Sequence, residues 1–528
     1  MSAYFAKYDY LSAEGADLFT VTLLPDQEGQ YPTVIIRHPY VDRDEKMSEE
    51  DIMEVLLTIK ADWLANGYAV VFQHCRGRGK SSGDFIPYIN ERADGLFLQE
   101  WIRQQPFYNG ELFLVGTSYT TTVHYVTAPF AKDIKGAIFG VQDSERYNIC
   151  YRNGFLKKAL HGSWYVGNYK KKTMPHKPYA TTRAFNMLPL SEFTKTVFGE
   201  LVESFDDVLK APKKTDPFWQ THSGGTDTRG ATDCVHFPIL FTTGFYDIYT
   251  GGVFDMWNAM SPESKSRSAL VVSPYNHGDS YDPDRSLAFE NGKREEAFGA
   301  YGIAWLNYIR GKQKESPFKL GKVTYYRLFD RKWQTEDFPS DIETMQLTLG
   351  KEAVTYLYNP YDAPGFQGGL SCNFGGTVFQ NPPNSRSDIL SIYTEPFAKD
   401  TFVKGKMSAS LRVASDCEDT GFYVRVSLEK EQGDYGLRDD ITSLVYQLGD
   451  YTPGSQVDLK FTFDEHAFLI QKGERLRIDI ASADDEHYVN HTNQKGLYSE
   501  QTMAKVARNT VYLQESKLML PVEQTERE

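Results

Sequence analysis

Cysteine is scarce in this chain: five in 528 residues, Cys75, Cys150, Cys234, Cys372 and Cys417, scattered and without a Cys-x-x-Cys pair. An odd, sparse set argues for free thiols in a reducing compartment and against a disulfide framework or a zinc site. The eleven histidines show no His-Glu-x-x-His or similar ligand spacing, so neither a metal nor another cofactor is expected. Long apolar runs are missing as well: none approaches the roughly 18 residues of a membrane-spanning helix, and no charged segment with an apolar core opens the chain. Basic charge is in deficit, 57 Lys and Arg against 71 Asp and Glu, for a net charge of −14. That disfavours nucleic acid and anionic membrane surfaces as partners. The only basic run, Lys170-Lys171-Lys172, reads as a solvated face. With no repeat and no low-complexity linker, the expectation is a cytoplasmic protein of about three domains, with self-association into a homo-oligomer left open.

One glycine-rich stretch, Arg76 to Gly83, invites a phosphate-loop reading. Aligning Gly-Lys-Ser on Gly79-Lys80-Ser81 puts the first required glycine at His74, which excludes it. What the chain does contain is the run Glu111-Leu112-Phe113-Leu114-Val115-Gly116-Thr117-Ser118-Tyr119-Thr120, an apolar strand pattern broken by Gly-x-Ser and followed by a helix-compatible stretch. A serine on such a strand-to-helix turn is presented at the top of a sheet with the next backbone N–H beside the developing oxyanion. The usual last glycine of this elbow is replaced by Thr120.

Order along the chain supports the same reading. An α/β-hydrolase requires Ser, then an acid, then His, the later two just after strands. Pro238 to Thr243 is an apolar strand running into Gly244-Phe245-Tyr246-Asp247, and Ser268 to Ser273 runs into Pro274-Tyr275-Asn276-His277. Both titratable groups fall at the carboxyl ends of strands, where open α/β sheets place their sites.

The residues now carry a family resemblance. Ile36-Arg37-His38-Pro39-Tyr40, Gly67-Tyr68-Ala69-Val70-Val71, Arg76 to Gly83, Gly116-Thr117-Ser118-Tyr119, Gly244 to Asp247, His277 and Gly473 to Ile478 together resemble the CocE/NonD hydrolases, which include cocaine esterase, α-amino-acid ester hydrolases and X-Pro dipeptidyl peptidases. The resemblance implies Ser118 as nucleophile, His277 as base and then acid, and Asp247 as the residue orienting the imidazole. It implies an oxyanion hole made by the Tyr40 hydroxyl and the Tyr119 backbone N–H. Tyr40 follows the strand Thr33 to Arg37, where a phenol can donate across the top of the sheet. The family's Gln-Asp-x-Arg-Gly reads Gln73-His74-Cys75-Arg76-Gly77 here.

For organisation, residues 1–142 and 234–340 alternate strand and helix patterns, as in an α/β-hydrolase catalytic domain. Helices are expected over Asp51 to Asn66, Glu91 to Gln105 and Arg294 to Arg310. Residues 143–233 lose the strands and read as an inserted helical cap, with one amphipathic helix over Ser191 to Lys210 behind a Ser191 cap. From 341 to 528 the alternation is two-residue, an all-β sandwich that the resemblance makes a jelly roll.

The reaction class expected is acyl transfer to water, with a small-molecule ester or amide as partner. Trp164, Tyr165, Phe218, Trp219 and Tyr249 are candidates for the pocket. A carboxylic ester of a small, partly aromatic substrate leads. An amidase or aminopeptidase would need a carboxylate to hold a substrate ammonium, with Asp143, Glu145 and Asp42 as candidates. A non-catalytic binding protein on a hydrolase scaffold is the alternative of another class.

Overall fold

The structure, a computed structural model, describes residues 4–174, 178–221, 235–369, 376 and 378–524. A ten-stranded sheet organises the first two thirds. Its strands are β1 (Phe5–Ala13), β2 (Ala16–Leu24), β3 (Tyr31–His38), β4 (Ala69–His74), β5 (Tyr108–Thr117) and β6 (Ile134–Gly140) before the cap. A two-residue hairpin in the cap supplies β7 (Tyr151–Arg152) and β8 (Phe155–Leu156), and the sheet resumes with β9 (Ile239–Tyr246), β10 (Ala269–Asn276), β11 (Val323–Arg327) and β12 (Lys332–Glu336). The order is β1-β2-β4-β3-β5-β6-β9-β10-β11-β12. From β4 through β11 neighbours run parallel, with antiparallel pairs only at the two edges. Parallel strands are covered on both faces and so must be apolar throughout; Val34 to Ile36, Val70 to Phe72, Leu112 to Leu114, Ile239 to Phe241 and Leu270 to Val272 are all buried.

Helices cover the sheet: α1 (Glu49–Ile59), α2 (Ala61–Ala65), α3 (Glu91–Arg103) and α4 (Tyr119–Tyr125). A reciprocal capping box starts α1: Ser48 Oγ accepts from the Asp51 amide and Asp51 accepts from the Ser48 amide. The helix expected over Asp51 to Asn66 divides at Lys60. The cap holds α5 (Arg146–Cys150), α6 (Ser163–Asn168), α7 (Phe193–Phe198) and α8 (Glu203–Leu209). The single helix expected over Ser191 to Lys210 is therefore two. Gly199 at φ 77° closes α7 in the left-handed conformation that glycine adopts without penalty, and Ser191 lies in a preceding 3-10 turn without capping α7. Gly299, at φ 59° and ψ −143°, a different conformation but again one that favours glycine, divides the helix expected over Arg294 to Arg310. The cap has its own core, built around Tyr147, Tyr165, Phe193, Phe198, Phe205 and Trp219. Beyond it, α9 (Thr250–Ala259) follows β9.

The C-terminal third begins its strands at Ile342–Thr348 and packs an eight-stranded sheet on a four-stranded one, all pairs antiparallel. One apolar cluster runs without interruption from the hydrolase sheet (Leu114, Phe241, Tyr325) into the sandwich (Phe422, Phe468, Leu520). The backbone links them too: Leu328 N donates to Ala467 O at 3.0 Å and Leu469 N to Leu328 O at 2.9 Å. The cap is joined to the sandwich by Arg152, whose guanidinium reaches Asp440 Oδ1 at 2.7 Å, Asp464 Oδ1 at 3.0 Å and the Thr462 carbonyl at 2.6 Å.

Candidate active site

Ser118 stands between β5 and α4 with φ 57° and ψ −135°, a backbone conformation that a non-glycine residue holds only when its surroundings impose it. The Ser118 amide is tied to Gly140 O at 2.9 Å. Glycine is required at 116: a Cβ there would sit 2.1 Å from Thr120 O. Thr120, where the elbow usually has glycine, turns its hydroxyl back on the strand end, accepting from the Thr117 amide and donating to the Thr117 carbonyl, both at 2.6 Å. The branched side chain thus fits by replacing backbone hydrogen bonding at the turn.

Asp247 and His277 meet at the carboxyl ends of adjacent strands. Gly244 allows this approach, since a Cβ there would lie 2.1 Å from Tyr275 O. Asp247 is fully buried; its Oδ1 accepts from the Tyr249 amide at 2.7 Å and its Oδ2 faces His277 Nδ1 at 2.8 Å. A carboxylate in this position accepts, so Nδ1 carries the imidazole proton and Nε2 presents a lone pair. That Nε2 is 2.9 Å from Ser118 Oγ. The arrangement can take a proton from the serine and return it to a leaving group.

Tyr40 emerges from the loop after β3, 41% exposed. Its amide donates to His38 Nδ1 at 3.1 Å, which requires a neutral ring at that nitrogen, and burial pushes the His38 imidazole down to about 4. Arg78 clamps the loop on both sides of Tyr40, donating to Pro39 O at 2.6 Å and to Asp42 Oδ1 at 2.6 Å. His74, the departure from the family's acid, is buried beneath: its Nδ1 accepts from the Lys80 amide at 3.1 Å and its Nε2 lies 3.1 Å from Asp44 Oδ2. Tyr119 turns its side chain inward, donating to Glu91 Oε1 at 3.1 Å and accepting from the Tyr88 amide at 2.8 Å. Its backbone N–H is at the first position of α4, where a helix supplies no intrahelical acceptor.

Of the residues expected in the pocket, the structure brings Tyr249 to the triad and Trp164 to Tyr40 and Tyr119. The Tyr249 ring stands edge-on to the His277 ring, centroids 5.7 Å apart, and Trp164 lies over Tyr119 at 5.0 Å. Tyr165 and Trp219 are buried in the cap's core, Tyr165 paired with Ser204 Oγ and the Trp219 indole donating to Ala211 O at 3.0 Å. Phe218 packs against the same core with the Arg146 guanidinium above it. An aromatic residue reads the same in sequence whether it lines a pocket or fills a cap, which is why sequence alone grouped them. Tyr88 and Glu91, which set the Tyr119 ring, were missed; an acid opening α3 was the available signal.

The carboxylates considered for an ammonium are also placed. Glu145 pairs with Lys214 and Asp42 with Arg78. Asp143 is buried, accepts from the Glu145 amide at 2.8 Å, and lines a cavity of about 470 Å³ between cap, α9 and sandwich together with Lys157, Asp440 and Asp464. Burial pushes the Asp143 carboxyl up to about 7 and the Lys157 ammonium down to about 8. Gly252 lets that carboxyl come close, a Cβ there falling 2.3 Å from Asp143 Oδ2.

A serine, imidazole and carboxylate in sequence at the top of a parallel sheet define a serine hydrolase of the α/β-hydrolase fold. Residues 14–279, half of the chain, match the X-Pro dipeptidyl-peptidase (S15 family), and residues 318–518 match the X-Pro dipeptidyl-peptidase C-terminal non-catalytic domain. The chain belongs to the S15 family, and the likeness to CocE/NonD hydrolases read from its sequence is borne out. Cocaine esterase of Rhodococcus sp. (strain MB1 Bresler) is 24% identical over 563 residues, covering 93% of each chain. Among solved structures, an aminopeptidase from a marine sediment Thaumarchaeota archaeon superposes with a TM-score of 0.81 at 16% identity, covering 99% of this chain and 96% of its own. An α-amino acid ester hydrolase gives 0.77 at 17% identity, covering 98% and 96%.

Proposed function

We propose that the protein is a carboxylic-ester hydrolase working through an acyl-enzyme on Ser118. The observation that carries this reading is the unbroken relay from Asp247 Oδ2 through His277 to Ser118 Oγ, with contacts of 2.8 and 2.9 Å. His277 Nε2 takes the serine proton as Oγ attacks the carbonyl, the Tyr40 hydroxyl and the Tyr119 N–H hold the oxyanion, and the imidazolium then protonates the leaving group. Water repeats the sequence to release the acid. Trp164 and Tyr249 give the site aromatic walls, which suits an ester with an aromatic part, as the name of the Rhodococcus relative also suggests. Buried free thiols at Cys75, Cys150 and Cys417 favour a cytoplasmic setting.

A second reading, amide or peptide cleavage, is supported by the family's description and by Asp143, the one of the three candidate carboxylates without a salt-bridge partner among the described residues. A scaffold that only binds would have no use for a complete relay. Fluorophosphonate labelling that is lost in Ser118→Ala, followed by rates on p-nitrophenyl esters against aminoacyl p-nitroanilides, tests the reading. Faster turnover of the anilides would move the assignment to the peptidase. Labelling that persists in Ser118→Ala would remove Ser118 as nucleophile.

A further inference from the structure

We propose that Trp164 is a positioning residue for the oxyanion donor: its indole N–H orients the Tyr40 hydroxyl, so that the cap sets the direction of a hydrogen bond made at the top of the sheet. The proposal rests on the reading of Tyr40 as that donor.

Trp164 Nε1 lies 3.0 Å from Tyr40 Oη. An indole nitrogen donates and never accepts, whereas a phenol does both. The Tyr40 oxygen is therefore the acceptor in this contact, and its own proton is directed away from the indole. This decides a rotor that water would otherwise leave undecided, since Tyr40 is 41% exposed. Accepting one hydrogen bond also strengthens the hydroxyl as donor in the next.

The indole is held where this requires it. Its ring lies over Tyr119 at 5.0 Å and beside Tyr88 at 5.8 Å, and Tyr119 is itself fixed through Glu91 and the Tyr88 amide. The segment bearing Trp164 leaves a π-helical turn, Lys158–Gly162, on which Ser163 Oγ closes by donating to Lys158 O at 2.9 Å. Such turns recur at functional sites. A second bridge runs in parallel: Arg78 donates to Asn168 O, at the end of α6, at 3.2 Å and to Pro39 O, next to Tyr40, at 2.6 Å. Two separate contacts thus hold α6 and the Tyr40 loop in one relation. Packing explains the ring of Trp164; it does not explain why the N–H ends on the hydroxyl read as the oxyanion donor.

The test is a double-mutant cycle on kcat and KM with Trp164→Phe, Tyr40→Phe and the double variant. Trp164→Phe keeps an aromatic ring against Tyr119 and removes the N–H. The expected result is a fall in kcat of about tenfold, the effect of one lost hydrogen bond, with KM within about twofold. In the Tyr40→Phe background the same change should cost nothing further, because the group it orients is gone. If Tyr40→Phe alone leaves kcat intact, Tyr40 is not the donor and both readings fall. If Tyr40→Phe lowers kcat but Trp164→Phe does not, or the two effects multiply, or only KM moves, Trp164 does no more than wall the site and this proposal is overturned. Should Trp164→Phe fold poorly, 3-benzothienylalanine at position 164, with sulfur in place of the N–H, serves for the same cycle and is read by the same outcomes.

Discussion

His74 Nε2 lies 3.1 Å from Asp44 Oδ2, a buried imidazole against a carboxylate on the turn that follows Tyr40. The family pattern has an acid at position 74, and an acid there would face Asp44 with like charge. The loop has closed over the imidazole instead: Gly79, at φ 52°, passes so near that a Cβ would lie 2.3 Å from His74 Nδ1. His74→Asp is therefore expected to lower stability by about 1–3 kcal/mol and to lower kcat through the loosened Tyr40 loop, although it restores the family residue. A thermal melt and kcat on one preparation check this, and an unchanged Tm would show that the pair contributes nothing.

Thr120→Gly is a second restoration expected to fail. It deletes a hydroxyl that both accepts from and donates to Thr117, and it adds backbone freedom in the first turn of α4. A loss of about 1–2 kcal/mol is expected. Urea denaturation measures it; a gain in stability would mean that the threonine strains the elbow.

Asp143 gives stability a pH dependence of its own. Its carboxyl titrates at about 7 in the folded chain, held up first by burial, and near 3.9 when unfolded. Between those values the folded state binds the extra proton, so this contribution is present below pH 4 and is lost as pH rises through 7. Asp143→Asn removes the dependence while keeping the acceptor for the Glu145 amide. The Tm of the variant relative to the parent should rise from pH 5 to pH 8, at roughly 1.4 kcal/mol per pH unit up to about pH 7. The Lys157 ammonium, at about 8, is itself raised by Asp143 and titrates at the upper end of that window, so the slope is read below pH 7; the Glu465 carboxyl, also near 7, is present in both proteins. A Tm difference independent of pH would refute the assignment.

Removing residues 341–528 should give insoluble or inactive protein, because the apolar cluster that fills the hydrolase sheet continues into the sandwich and would be cut through. Tyr246, at the end of β9 just before Asp247, also loses its contacts with Gly436 O and His466. A soluble truncation with full esterase rate would show the two parts to be independent.

The sheet, and the meeting of Ser, Asp and His at its carboxyl end, were legible because parallel strands leave continuous apolar runs and because the elbow, the acid and the base each end such a run. Ser118, Asp247 and His277 meet in space as that order implies. Helix ends were less legible: Gly199 and Gly299 break helices whose apolar spacing continues past them, since periodicity reports a face and not the backbone conformation at one residue. The pocket was least legible. Trp164 and Tyr165 are neighbours of the same chemical kind, yet successive helix positions point about 100° apart, and one meets Tyr40 while the other is sealed in the cap.

Arg152 has a consequence for how such proteins can be recombined. Its guanidinium leaves the cap hairpin and spreads over Asp440, Asp464 and the Thr462 carbonyl of the sandwich. A chimera that takes its cap from one homologue and its sandwich from another, without an arginine and acids in matching places, would strand the buried Asp440 carboxylate without its ion-pair partner. These contacts therefore survive recombination where cap and sandwich are exchanged together.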